Sequence, residues 1–147
     1  MQEKKELMSN VRIVLMSMRE VYFNEILNGE KHYEYRKKYC EDESIAYIYI
    51  SKTRKEIVGK IWFGKPIIAE AKKIAQISEN DQPGNYNSII EYIGNNVGYA
   101  IPVIKVETIN KIGLNEIKES FKEFCPPQSY YYLDNKKGLM DFIADRE

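Results

Sequence analysis

The stretch L-M-S-M-R-E-V-Y-F-N-E-I-L-N-G-E-K-H-Y-E-Y-R, Leu15 to Arg36, changes its apolar period twice in 22 residues and so dictates strand, helix and strand in turn. It continues a short apolar run, V-R-I-V-L-M-S-M over 11–18, which reads as a largely buried strand. From Arg19 to Leu27 the apolar positions Val21, Tyr22, Ile26 and Leu27 fall on one helical stripe, and Asn28-Gly29 supplies a left-handed stop. After the stop the period becomes two. In K-H-Y-E-Y-R-K-K, residues 31–38, Tyr33 and Tyr35 share one face of a strand, while His32, Glu34, Arg36 and Lys38 share the other. One face is aromatic and one is charged.

Working outward, I-A-Y-I-Y-I-S (45–51) and I-V-G-K-I-W-F (57–63) are joined by a polar turn, Lys52 to Lys55, and form a hairpin. Pro66 is placed to open a helix in which Ile67, Ile68, Ala71, Ile74 and Ala75 keep helical spacing up to about Ser78. Asn80 to Asn85 is a loop, and Asn87 to Ile93 a second helical turn region. Val97 to Thr108 is the longest β-like stretch; Val103, Ile104 and Val106 suit a central strand, with Pro102 marking a bulge or edge. Gly113 to Phe121 reads as a helix with Asn115 as its cap. Cys125 to Leu133 starts extended at Pro126-Pro127 and ends as a strand, and a terminal helix follows Asp134.

The chain has 147 residues, enough for one domain with its own apolar core. Hydrophobic residues make up 44% and charged residues 30%, which fits a soluble globular domain. No stretch has the length of a signal peptide or a spanning helix, so a cytoplasmic protein away from membranes is expected. The two cysteines, Cys40 and Cys125, lie far apart, and with one histidine they do not complete a zinc site; no metal and no cofactor are expected. Twenty-two basic residues balance twenty-two acidic ones, which argues against a nonspecific nucleic-acid coat. The distribution is uneven: Lys31 to Lys65 holds nine Lys or Arg against five Asp or Glu, and residues 66–147 hold nine against twelve. No phosphate loop, dinucleotide fingerprint, zinc signature or serine-hydrolase elbow is present.

The opening stretch, with Ser17, the Tyr22 to Leu27 helix face and the G-x-K-x-x-E-x-R string of Gly29, Lys31, Glu34 and Arg36, resembles the ASCH domain (activating signal cointegrator homology), a PUA-like family. The resemblance continues in I-Y-I-S near Tyr47 to Ser51, V-G-K-I at Val58 to Ile61, G-Y-A-I at Gly98 to Ile101 and P-P-Q-S-Y at Pro126 to Tyr130. It implies a single α+β domain over 1–147, a small PUA-like mixed β-barrel of five or six strands with flanking short helices. The barrel core spans about 11–133, and 134–147 is a C-terminal helical extension. The implied cleft is lined by Ser17, Lys31, Glu34, Arg36, Tyr47, Ser51, Gln128 and Ser129.

Glu34 and Arg36 stand two apart on a strand, roughly 6 to 7 Å between Cα atoms on one face, so they can act together. A guanidinium grips phosphate bidentately and a carboxylate accepts from a base amine, the two polarities that nucleotide recognition needs. The alternative is a solvated surface pair of little energetic weight. Lys31 has the other parity and reaches the same cleft only if it belongs to the turn after Gly29; buried there, its pKa falls and it becomes a candidate base. Ser129 lies on a stiff Pro-Pro segment. Tyrosines at 33, 35, 39, 47, 49, 130, 131 and 132 alternate with lysine and arginine as on single-strand surfaces, though most belong in a barrel core. Tyr47 is the one chosen for a ligand; Trp62 is assigned to packing and His32 to the surface.

The leading expectation is therefore an RNA or modified-nucleoside binding module. The rival is a hydrolase acting on RNA or an acylated nucleoside, either a ribonuclease or an N4-acetylcytidine amidohydrolase-like enzyme, with Lys31 and Glu34 as its catalytic residues. In the amidohydrolase branch a Thr follows the Lys by three positions; here Glu34 stands there and supplies no hydroxyl nucleophile. The third reading is a protein-interaction domain. The shape and charge of the cleft discriminate among them.

Overall fold

In the computed structural model, which describes residues 11–147, seven strands form one curled mixed sheet flanked by five short helices. In chain order these are β1 (Arg12–Met18), α1 (Glu20–Leu27), β2 (Tyr33–Arg36), β3 (Ser44–Ile50), β4 (Glu56–Phe63), β5 (Ile67–Glu70), α2 (Ala71–Asp81), α3 (Tyr86–Ile93), β6 (Val97–Gly113), α4 (Leu114–Ser120), β7 (Tyr130–Tyr132) and α5 (Lys137–Ala144). The strand order is β2-β6-β4-β3-β1-β7, with β5 also on β6. β1 and β3 run parallel, Leu15 opposite Tyr47, and the other pairs are antiparallel.

The curl comes from β6. Its 17 residues pair first with β2 and β5 and then, beyond Pro102, with β4, where register shifts at Ile57/Gly59 and Trp62/Phe63 bend the ladder. Alternation along β1 and β3 separates two apolar clusters. Val14, Met16, Ala46, Ile48 and Ile50 fill the inside of the curl with Phe23 and Ile26 of α1. Leu15, Tyr47 and Tyr49 face outward to a second cluster closed by Ile117, Leu139 and Ile143 of α4 and α5. A third, smaller cluster seats α2 and α3 on Tyr33, Tyr35 and Ala100. Residues 134–147 are thus built into the second cluster.

Four sequence expectations need correction. The stripe of Val21, Tyr22, Ile26 and Leu27 is not the buried face of α1: Phe23 and Ile26 are buried, and Val21, Tyr22 and Leu27 are exposed, because the Phe23 ring seats on the bare strand at Gly59. Pro66 opens no helix: Ile67 to Glu70 pair with Val97 to Ala100 as β5, and the helix begins at Ala71. The β-branched Ile67-Ile68 finds a free edge of β6 there, and pairing outweighs the helical spacing. Asn115 does not cap α4, whose N-cap is Gly113 without any side-chain bond. Ile104 is 69% exposed although β6 is central in the sheet, because it lies in the segment after Pro102 where β6 leaves β2 for β4. Among the described residues no helix is long and apolar enough to cross a membrane.

Candidate functional site

A cavity of about 510 Å³ opens where the end of β1, helix α1, strand β2 and the α2–α3 pair meet. Local chemistry places its floor. Gly29 adopts φ 79°, a left-handed value open to glycine, and the chain then doubles back so that the Glu25 carbonyl accepts the N–H groups of both Glu30 and Lys31. Lys31 therefore belongs to the turn before β2, and its side chain enters the cavity alongside Glu34 despite the opposite parity.

Lys31 and Glu34 are each only 6% exposed. The ammonium sits 3.9 Å from Glu34 Oε1, with the rings of Tyr35 and Tyr22 at 4.6 and 5.3 Å. Burial pushes the Lys31 pKa down, outweighing the upward pull of Glu34, Glu25 and Asp81. Arg36 turns its guanidinium inward. Its Nε and Nη2 both donate to Glu34 Oε2, at 3.0 and 2.7 Å; Nη2 also donates to the Ser17 carbonyl at 2.9 Å, and Nη1 to Ser129 Oγ at 3.1 Å. The Ser17 hydroxyl donates to the Pro127 carbonyl at 2.6 Å, and the Ser17 amide to the Ser129 carbonyl. Pro127 and Ser129 are thereby tied to β1 and β2.

This arrangement changes the role expected of Arg36. Most of its five donors are consumed by protein acceptors, so its guanidinium is an organiser of the floor rather than a free phosphate fork. Glu34 Oε2 is occupied by Arg36, whereas Oε1 faces Lys31. The pair left to meet a ligand is one cationic donor, Lys31 Nζ, and one anionic acceptor, Glu34 Oε1.

Lys31, Glu34, Arg36, Ser17 and Ser129 are brought together. Tyr47, Ser51 and Gln128 are not. Tyr47 faces the outer cluster by strand parity and donates to Glu147 Oε2 at 2.6 Å; burial first, and that carboxylate second, push its pKa up. Ser51 starts the β3–β4 turn, and Gln128 is exposed outside the cavity lining. The opposite wall, Ser78, Gln82, Ser88 and Tyr92 of the α2–α3 pair, had no signal in the sequence, because long-range packing brings it there. Tyr35 also lines the cavity, and among the described residues its buried hydroxyl makes no hydrogen bond, Ser78 lying beside it. His32, at the surface as expected, anchors that wall: its backbone N–H and Nδ1 meet the two oxygens of Asp81 at 2.8 and 2.6 Å.

A curled mixed sheet with short helices and a polar cleft at its mouth makes an α+β half-barrel fold. The fold is that of ASCH-domain proteins. The ASCH protein of Zymomonas mobilis superposes with a TM-score of 0.78 at 18% identity, covering 91% of this chain and 94% of that one. A tyrosine-to-phenylalanine mutant of the Zymomonas protein gives 0.78 at 18% identity, over 91% and 97% of the two chains. A serine-to-alanine mutant gives 0.75 at 17%, over 90% and 97%. No family model and no curated protein matches the sequence.

Proposed function

We propose that this chain is an intracellular ASCH-family protein whose cleft recognises the base of an RNA nucleotide or a modified nucleoside. The observation that carries the reading is the buried pair Lys31 Nζ and Glu34 Oε1, side by side at the floor of a cavity of about 510 Å³ with tyrosine rings around it. A base edge offers an acceptor next to an amine donor, which is the complement of that pair, and an aromatic wall suits a base face. A water-filled surface pair would be nearly worthless energetically, but a charge-assisted bond in a desolvated cleft contributes roughly 1.5 to 3 kcal/mol.

The depressed pKa of Lys31 supports a second reading, hydrolysis of an acylated base amine. Lys31, its pKa lowered by burial, can take a proton from the attacking water and return it to the departing base amine, oriented by Glu34, as the amide C–N bond breaks to leave the free amine and the carboxylic acid. Calorimetry with a panel of nucleosides, acetylated cytidine included, and anisotropy with short single-stranded RNA test both readings. Binding should fall at least tenfold in Glu34→Gln and in Lys31→Ala, and any deacetylation should disappear in both. Full binding retained by both variants would remove the cleft from consideration, and turnover surviving both would place the chemistry on other residues.

A further inference from the structure

A second groove, of about 730 Å³, is lined by Phe121 to Cys125, Tyr131 and Lys136 to Leu139. Its floor is aromatic and aliphatic, with Phe121, Tyr131 and Leu139, and its rim carries Lys122, Lys136 and Lys137. Among the described residues Glu123 is the one carboxylate lining it. Two of the lysines stand at the N-cap and first position of α5, a helix end with no side-chain cap and no acidic residue in its first turn. A helix start is already electropositive; Lys137 is held there by Asp141, its ammonium donating to Oδ2 at 3.2 Å, while Lys136 lies beside the Tyr131 ring.

Resting on the cleft reading above, we propose that this groove is a second contact site for the same single-stranded RNA, taking a base against Tyr131 and Phe121 and its phosphates on the three lysines. Continuity argues for RNA over another anion. Cys125, in the groove, and Ser129, at the cleft, are four residues apart, at most about 14 Å of extended chain. That segment is pinned at both ends and in the middle: the Tyr131 hydroxyl donates to the Cys125 carbonyl at 2.7 Å, the Ser17 hydroxyl to the Pro127 carbonyl at 2.6 Å, and the Ser17 amide to the Ser129 carbonyl at 3.0 Å. The Lys136 ammonium already lies 5.6 Å from the centre of the Tyr131 ring, the lysine-and-aromatic pairing that strand-binding surfaces use. The floor of the cleft has its arginine committed internally, so the phosphate-binding charge that a strand requires is found in the groove instead.

The test compares a free nucleoside with an oligonucleotide of about eight residues, a length one small barrel covers, on the wild type and on Lys122→Glu/Lys136→Glu/Lys137→Glu. All three lysines are exposed, and circular dichroism verifies the variant's fold. The wild type should hold the strand at least tenfold more tightly than the nucleoside. The variant should lose that gain and flatten the salt dependence by about 2, at about 0.7 per lost phosphate contact for a single strand, while its nucleoside affinity stays the same. Equal strand affinity and equal salt slope in both proteins would overturn the groove and leave the cleft reading standing. If the wild type binds neither nucleoside nor strand, both fail. If it binds no strand but retains an acidic amphipathic peptide that the variant releases, the groove belongs to a protein partner and the RNA assignment is overturned.

Discussion

Lys31 carries two opposed electrostatic effects within one side chain. Loss of water penalises its ammonium, while Glu34 and two facing tyrosine rings support it; the net direction is a lowered pKa. The sign of the linkage follows. Because the folded value lies below that of the unfolded lysine, the unfolded chain binds more protons between the two values, and stability rises with pH through that interval, relieved of the cost of a buried cation. Lys31→Met removes that cost and puts a thioether against Tyr22 and Tyr35, while Glu34 keeps its two bonds from Arg36. We predict that the urea midpoint at pH 7 does not fall, that stability gains about 1 kcal/mol on the scale known for replaced buried ions, and that ligand binding is lost. A variant destabilised by several kcal/mol would show that Lys31 holds the fold rather than waiting for a ligand.

Helix α1 delivers Tyr22 and the Lys31 turn to the cleft, and its seat on β4 depends on one glycine. A Cβ at Gly59 would overlap the Phe23 ring and stand 3.0 Å from the Glu107 carbonyl, so the strand surface must be bare there for the ring to lie flat. Gly59→Ala should therefore cost about 1 to 3 kcal/mol by overpacking and weaken cleft binding as α1 moves. Trimming the ring in Gly59→Ala/Phe23→Leu should recover most of both, read by denaturation and calorimetry; no recovery would mean that the strand, not the helix seat, is damaged. At this scale the sequence was readable where the period was unambiguous: β1, β2 and the β3–β4 hairpin stand where alternation put them, and α1 stands where expected but buries Phe23 and Ile26 rather than the Val21, Tyr22 and Leu27 side. It misled at Ile67-Ile68, where an apolar pair suited either structure and a vacant edge of β6 decided. The cleft floor was legible from Gly29, Lys31, Glu34 and Arg36 because the chain is contiguous there. The far wall was not, since Ser78, Ser88 and Tyr92 reach it only after α2 and α3 have packed on the sheet. Tyr47 failed for a different reason: its strand alternates, and only the location of the outer cluster decides which parity faces the cleft.

Across the whole molecule the tyrosines bind the fold to pH from the alkaline side. The chain has twelve, and burial pushes up the hydroxyls of Tyr35, Tyr39, Tyr47 and Tyr49, with Tyr130 and Tyr131 each raised to about 12. They are spread over all three apolar clusters or packed against them, inside the curl, outside it and under the helices. Tyr39 is buried inside the curl, sharing a 2.6 Å bond with Ser44 and packed edge-on against Phe63 and Tyr130. Ionising any of them in place would put a phenolate in an apolar cluster. Here the folded pKa lies above the unfolded value of about 10, so the folded chain retains protons that the unfolded chain has lost. The stability this confers is complete below pH 10 and drains away as pH rises toward and beyond 12, the reverse of the Lys31 effect. The two contributions should make stability pass through a maximum below pH 10. A tyrosinate absorbance titration at 295 nm, run beside far-ultraviolet circular dichroism, should show these hydroxyls ionising in one cooperative step that coincides with loss of secondary structure and lies above the ordinary tyrosine range. A smooth titration centred near pH 10 with the dichroism unchanged would mean that the three clusters admit water, and that the cleft floor they support is far looser than its hydrogen bonds imply.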